Sequence, residues 1–587
     1  MFTRKTKIIA TIGPASCELD TIRKMIAAGM NGARFNFSHG DHEFHGKLID
    51  NVIAAREELD KPVTLILDTK GPEIRTKTFD TDRIYLEQGA EFTLTTDDIV
   101  GDNTRVAVTY ENLPRDLKIG NRVLIDDGLI EMHVKEISGN DVKCVLINSG
   151  FLGHRKGINI PDVYVDLPSL TEKDIEDITF GVKKGVDWIA ASFVRTAQDI
   201  ANIRKVLHDI NGNHVKIMAK IESRDGVDNI SSILDVVDAI MVARGDLGVE
   251  ISPEEVPIVQ KDLICSCIMA GKPVVTATHM LESMVNNPRP TRAEASDVAN
   301  AIFDGTDVVM LSGETAGGKY PVESIEMMVR IARKTESTID YEARYATTHE
   351  NLSKNVTNAI SYAAVNVAAE MGAACITPVT DTGYAARMVS RSRPSCPILA
   401  VTYDPVVCRQ LNLSWGCVPM LSAEPFQGDS EVFDIAENLA IKSGLVKNGD
   451  IMIALAGVPV GSAGASNTIR VLTVGDVIIS GEGNGKGLVS GVTRVITGDD
   501  KKEIASFEKG EVLVCTKTDD TLIECIKQAS AIVIGSWEKL DFSHAETVAK
   551  ALNIPLIRAK VRVTDFVKSG IPVTVDTNEG LLINGNK

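Results

Sequence analysis

The chain has 587 residues, is 44% hydrophobic and 24% charged, and carries a net charge of −18 with an isoelectric point near 5.1. That length holds roughly three to five domains. So large an acidic excess excludes nucleic acid and anionic membrane as main partners, and an anionic substrate needs a local positive pocket.

The first predicted strand follows directly on Met1–Lys7, with no apolar leader ahead of it. No apolar run reaches the length of a membrane span. Cysteines are scattered, and Cys265 and Cys267 lack the second pair that a zinc site needs. Free thiols and the absent leader predict a reducing cytoplasmic location.

Apolar strand-like runs alternate with amphipathic helical ones. The runs are Lys5–Gly13, Gly32–Ser38 and Thr64–Lys70, then, after a long gap, Trp188–Val194, Lys216–Ser223, Ile240–Asp246, Pro273–Met280 and Asp307–Glu314. Helices are predicted over Glu172–Lys184, Ala197–His208 and Glu254–Met269, with Pro253 placed in a first helical turn. Eight β/α units predict a (β/α)8 TIM barrel over 1–70 and 168–344, with its site at the C-terminal ends of the strands. The gap, 71–167, has short alternating runs such as Arg122–Ile125 and Val142–Ile147, and a turn at Asp126-Asp127-Gly128. It predicts a small inserted β-barrel that acts as a lid. From 345 to 474 a helix at Asn355–Met371 and strands at Ala374–Thr377, Ile398–Thr402 and Asp450–Ala456 predict a doubly wound α/β domain. The glycine- and valine-rich stretch 475–587 predicts a further α/β domain with strands at Val512–Thr516, Ala531–Gly535 and Pro555–Ile557.

The barrel strands end in polar residues. Side chains alternate faces along a strand, so Lys220 shares a face with Glu222, Arg244 with Asp246, Thr276 with Thr278 and Ser312 with Glu314. Arg34, Asn36 and Ser38 share a face of the second strand, and Asp68 and Lys70 end the third. A core has no use for such groups unless they are paired or bind something. Glu222 and Asp246 suit a hard divalent cation. Lys220 suits an anionic substrate or, alternatively, a Schiff base as in an aldolase. A barrel kept as a metabolite sensor is a further, non-enzymatic alternative.

At these residues the sequence resembles the pyruvate kinase family. The likeness is carried by Arg34-Phe35-Asn36-Phe37-Ser38-His39-Gly40, Leu67–Arg75, Lys220-Ile221-Glu222, Met241–Gly248, Asn287–Gly305 and Leu311–Ala316. It implies transfer of the phosphoryl group of phosphoenolpyruvate to ADP, giving pyruvate and ATP. It implies Lys220, Arg34 and Thr278 as catalytic residues, with Gly245 and Asp246 also binding substrate. Mg²⁺ or Mn²⁺ would sit on Glu222 and Asp246, and K⁺ on Asn36, Ser38, Asp68 and Thr69. Asn36, His39, Arg75 and Lys156 would contact the nucleotide. Family members with lysine where this chain has Glu73 dispense with K⁺, so Glu73 implies K⁺ dependence. Where the family commonly reads Thr-Gln-Met-Leu, this chain reads Thr278-His279-Met280-Leu281, and alternation points His279 away from Thr278. Ser312 or Glu314 would serve a water relay beside Thr278. Of His39, His42 and His45, the first fits a nucleotide contact and the others a helix surface.

The family is typically homotetrameric and regulated by a phosphorylated effector in the α/β domain. Here Thr380, Thr382 and Gly383 precede a predicted helix, Ala385–Ser390, where hydroxyls and free N–H groups suit a phosphate. The last domain resembles the phosphohistidine domain of phosphoenolpyruvate-utilising enzymes, through Ser543-His544-Ala545 and Leu552–Pro555.

Overall fold

Eight parallel strands close into a barrel: β1 Lys7–Thr11, β2 Gly32–Asn36, β3 Thr64–Asp68, β4 Trp188–Ala191, β5 Lys216–Ile221, β6 Ala239–Ala243, β7 Val274–Ala277 and β8 Val308–Leu311. The computed structural model describes residues 4–585 apart from 164, 166, 342, 344–354, 427, 460–465, 486, 499–500 and 537–541. β8 pairs with β1 and shuts the ring. The strands are apolar on both faces because side chains fill the inside and helices cover the outside. Ile66, Met218 and Met241 pack within the barrel, whereas Leu65, Ile217 and Ile240 pack outward against the helices. Two residues beyond Ile66 and Met218, on the same wall and nearer the C-terminal end, come Asp68 and Lys220.

The strands stop earlier than their apolar patterns predict. β6 ends at Ala243, and Arg244, Gly245 and Asp246 lie on a short helix, Arg244–Glu250. Thr278 and His279 follow β7 with φ of 65° and 54°. Glu314 lies on the helix Gly313–Ala316. The alternation predicted for Arg244 with Asp246, Thr276 with Thr278, and Ser312 with Glu314 therefore does not apply. Pro257, not Pro253, occupies the first turn of its helix, Val256–Ala270. Thr171 caps the helix Glu172–Lys183 through a reciprocal box with Asp174.

Between β3 and β4 the inserted segment forms a largely antiparallel seven-stranded sheet and a two-stranded ribbon. Arg122–Ile125 and Asp141–Leu146 are strands of that sheet. Phe92, Val123, Met132 and Val142 give it a core of its own. The chain divides into two compact units, Met1–Tyr362 with Thr380–Pro425, and Ala363–Val379 with Phe426–Lys587. The first holds the barrel, the inserted sheet and the parallel pair Ile398–Thr402 and Cys417–Leu421. In the second, Cys375–Pro378 pairs in parallel with Ile451–Ala456. An eight-stranded mixed sheet follows, built on Val512–Cys515, Ala531–Gly535 and Leu556–Ala559. The boundary expected at 344–345 lies outside the described residues. No helix among the described residues is long and apolar enough to cross a membrane.

Candidate active site

Three barrel strands deliver a buried chain of charge. Arg34 Nε donates to Asp68 Oδ2 at 2.6 Å, and its Nη1 to Thr11 Oγ1 at 3.0 Å. Lys220 Nζ lies 3.1 Å from Asp68 Oδ1 and 2.8 Å from Glu222 Oε1. Glu222 Oε2 accepts the Phe193 N–H at 2.6 Å. All four charged side chains are buried. Two cations and two carboxylates neutralise one another where a lone charge would be prohibitive.

Burial works to raise the Asp68 carboxyl, but Arg34 and Lys220 outweigh it and hold it below the usual carboxylate range. For Lys220 burial opposes the ammonium, yet Asp68 and Glu222 prevail and hold its pKa above the usual lysine range. A Schiff base needs a neutral amine, so this environment argues against the aldolase alternative. Burial pushes Glu222 up to about 7 against the pull of Lys220, and Asp246 adds to the rise.

Sequence reasoning missed Ser192. Its Oγ donates to the Thr69 carbonyl at 2.6 Å and accepts from Lys220 Nζ at 2.7 Å. Its N–H donates to Thr69 Oγ1 at 3.1 Å. The available signal was its place two residues beyond Ala190, on the inner wall of β4. Phe193 next to it has φ 54° and donates its N–H to Glu222; nothing in a single sequence marks that turn.

Of the four residues expected to hold K⁺, Asp68 and Thr69 join this network. Asn36 Oδ1 accepts the Ser38 N–H at 3.1 Å, a local turn beside it. Across the mouth, Thr278 Oγ1 donates to the Ala277 carbonyl at 2.6 Å and accepts the Gly245 N–H at 2.8 Å. The Gly245 N–H, expected to receive substrate, is thus bonded to Thr278. Arg244 is a tie between loops: both of its terminal nitrogens reach Asp297 at 2.8 Å, and Nη2 also donates to the Thr278 carbonyl at 2.6 Å. His279 is exposed and lines a cleft with Gly245 and Asp246 on one side and Val256, Pro257 and Asp297 of neighbouring helices on the other. Glu314 is buried and accepts the Leu281 and Ser312 N–H groups at 3.0 and 2.7 Å. It fastens loops together. His45, expected on a helix surface, is buried, stacked on Phe37 and bonded to the His39 carbonyl at 2.6 Å. His42 contacts Asp177 at 2.7 Å, and His39 is exposed.

The inserted sheet overhangs a cavity of about 610 Å³, lined on its side by Arg75, Asp127 and Lys156 and on the barrel side by Phe193, Arg195 and Asp246. Arg75 Nε bonds Glu73 Oε2 at 2.6 Å, and Lys156 Nζ bonds Asp126 Oδ1 at 2.9 Å. Burial, then Asp246, raises the Asp127 carboxyl. Asn159 on the inserted sheet donates to Glu250 Oε1 on the barrel at 2.7 Å.

The donor set at the mouth fits a hard divalent cation. Glu222 and Asp246 offer oxygens only, and a divalent charge beside them would reverse the rise in the Glu222 carboxyl. Among the described residues no three His, Cys, Asp or Glu side chains form a cage, and an ion on two carboxylates keeps positions for water and substrate oxygens. Away from the barrel mouth, Thr380 Oγ1 accepts the Gly383 N–H at 3.0 Å, so that expected anchor is also spent within its own loop, and the Thr382 carbonyl accepts from Arg387. In the second unit His544 Nδ1 lies 3.0 Å from Thr518 Oγ1.

Comparison with known proteins covers nearly the whole chain. Residues 3–325 match the family described as pyruvate kinase, barrel domain; 358–472 match pyruvate kinase, alpha/beta domain; and 507–580 match PEP-utilising enzyme, mobile domain. A pyruvate kinase of Sporosarcina psychrophila is 44% identical over 585 residues, covering 99% of each chain. One of Geobacillus stearothermophilus is 43% identical over 586 residues, with the same coverage. A solved pyruvate kinase of Cryptosporidium parvum superposes with a TM-score of 0.77 at 41% identity, covering 80% of this chain and 96% of that one.

Proposed function

The chain belongs to the pyruvate kinase family, and from that premise we propose how its own residues carry the reaction. The substrates are phosphoenolpyruvate and ADP. The bond between phosphorus and the enol oxygen breaks, the phosphoryl group passes to the terminal phosphate of ADP, and the enolate left behind takes a proton on carbon to become pyruvate. Such transfer is mostly positioning and charge neutralisation.

The observation that carries the reading is the buried chain Arg34–Asp68–Lys220–Glu222. Arg34, with its fork anchored on Asp68, binds the phosphate of phosphoenolpyruvate. Lys220, kept protonated by two carboxylates, neutralises the phosphoryl group in flight. Asp246 and the start of its helix orient the substrate carboxylate, and Thr278 lies by the enolate carbon. Glu222 and Asp246 would hold Mg²⁺ or Mn²⁺, which supplies charge neutralisation to the phosphoryl oxygens. Asn36, Ser38, Asp68 and Thr69 would hold K⁺. Asn36, His39, Arg75 and Lys156 receive the nucleotide. Glu73, a carboxylate bonded to Arg75, brings no ammonium of its own to the site, which supports K⁺ dependence. A homotetramer in the cytoplasm, activated by a phosphorylated metabolite bound at Thr380, Thr382 and Gly383, completes the reading by family likeness.

The test is a coupled assay with phosphoenolpyruvate and ADP in which Mg²⁺ and K⁺ are varied separately. Turnover that requires both ions is expected. Full activity in a tetraalkylammonium buffer free of Na⁺ and K⁺ would sink the potassium assignment and leave the phosphoryl-transfer reading standing.

A further inference from the structure

A second cavity, of about 310 Å³, lies at the opposite end of the barrel. Trp188 and Lys216 are the first residues of β4 and β5, and Asp238 and Pro273 directly precede β6 and β7. The groups read above as catalytic sit at the other ends of these strands. The facing wall comes from the helix Tyr384–Arg391 and from Gln410 and Ser414.

The charges around this cavity do not balance. Arg204 and Lys216 share Asp238, at 2.5 and 3.1 Å. Asp235 is the only other carboxylate among the described lining residues. Lys272 and Arg387 have no carboxylate within ion-pairing distance among the described residues; Lys272 Nζ donates to the Leu234 carbonyl, and Arg387 Nη1 to the Thr382 carbonyl at 3.3 Å. Four cations thus face two carboxylates on a molecule of net charge −18. Burial pulls the pKa of both Lys272 and Arg387 below the ordinary value, and Asp238, with Asp235 for Lys272, offsets it only in part.

Buried donors without a partner lie beside this space. Trp188 is 3% exposed, and its indole N–H has no hydrogen-bond partner. A buried donor left open costs stability unless something fills it. Arg391, one turn beyond Arg387, is buried with its Nε also unpartnered, and it lines a narrow cleft that continues past Lys272 and Arg387.

We propose that this cavity binds a small organic phosphate, with the phosphate between Lys272 and Arg387 and a hydroxyl or carbonyl oxygen of the ligand accepting the Trp188 N–H. A guanidinium and an ammonium on opposite walls match phosphate oxygens, and the volume is at the lower limit of small-molecule sites. The site adjoins the loop at Thr380–Gly383, whose Thr382 carbonyl holds Arg387, but neither Thr380 nor Thr382 lines it. It rests on the regulatory reading above only for its effect on turnover.

The test is calorimetric titration of the full-length protein with probes graded in size: inorganic phosphate, glycerol 3-phosphate, ribose 5-phosphate and adenosine 5′-monophosphate. Saturable binding of at least one organic phosphate, one per chain, is expected. Arg387→Gln and Lys272→Met should each weaken it at least tenfold, with kcat in the absence of probe unchanged. Trp188→Phe should weaken it several-fold and abolish a probe-induced shift in tryptophan emission. Thr380→Val should leave binding intact. No saturable binding of any probe, or binding that survives both Arg387→Gln and Lys272→Met, overturns the proposal. Binding lost in Thr380→Val but kept in the cavity variants also overturns it, and leaves the loop as the effector site. Binding that the cavity variants remove, without any effect of the probe on turnover, supports the site and refutes its part in regulation.

Discussion

Lys220 is gripped by oxygens from three successive strand ends: Asp68 beyond Ile66 on β3, Ser192 after β4 and Glu222 after β5, at 3.1, 2.7 and 2.8 Å. An ammonium so held costs no reorganisation when charge develops on the transferring group, and such preorganised groups are worth about 10²–10³ in rate. Lys220→Met keeps the volume and removes the charge. It should lower kcat by at least that factor, while phosphoenolpyruvate still binds through Arg34. The coupled assay gives kcat, and protection of the variant against thermal unfolding by phosphoenolpyruvate reports binding. A near-wild-type kcat would remove Lys220 from the mechanism. Loss of binding with kcat preserved would make it an anchor for the ground state only.

At the scale of elements, the period of two inside a strand was legible, and it carried Arg34, Asp68 and Lys220 to one wall. Where each strand ends was not legible. Apolar pattern continues past the last ladder bond, and the chain then turns through left-handed residues at Phe193, Thr278 and His279. Those turns lie where the chain leaves the strands for the loops of the mouth, and they depend on neighbours distant in sequence. Gly71, where the chain leaves the barrel for the inserted sheet, has a similar part. Its φ is +72°, and a Cβ there would come within 2.8 Å of Ser192 Cβ and 3.0 Å of Phe193 Cδ2. Its N–H is also held by Asp174 Oδ1 at 3.0 Å. Gly71→Ala should cost about 1–2 kcal/mol from backbone strain alone and should lower kcat by displacing Ser192. Gly89→Ala is the control, with φ of +82° and open space around it: similar strain is expected, with kcat intact. Equal kcat in the two variants, beside equal shifts in thermal unfolding, would show that Ser192 does not position Lys220.

At the scale of the whole molecule, the inserted sheet was legible as a change of texture, because its strands alternate where the barrel strands are apolar throughout. Its hold on the barrel was not, since that hold joins residues far apart in the chain. Asn159 Nδ2 and Glu250 Oε1, 2.7 Å apart, are the clearest such bond. Burial raises the Glu250 carboxyl, Asn159 opposes the rise, and Asp225, Asp162 and Asp246 add to it. A carboxylate in that setting needs its donor: hydrogen bonds to charged groups contribute about 1.5–3 kcal/mol. Asn159→Ala leaves Glu250 unpaired whenever the sheet rests on the barrel, which favours the open arrangement. If Arg75 and Lys156 meet the nucleotide only when the sheet is down, the apparent KM for ADP should rise about tenfold, which corresponds to about 1.4 kcal/mol. The KM for phosphoenolpyruvate, whose contacts are on the barrel, should change little. Glu250→Gln retains an acceptor oxygen for Asn159 and removes the crowded charge, so it should keep the low KM for ADP. Steady-state kinetics on both variants with each substrate varied in turn decides the matter. A rise in both KM values together would assign the bond to general stability of the barrel mouth, and no rise in either would show that this bond does not control lid closure.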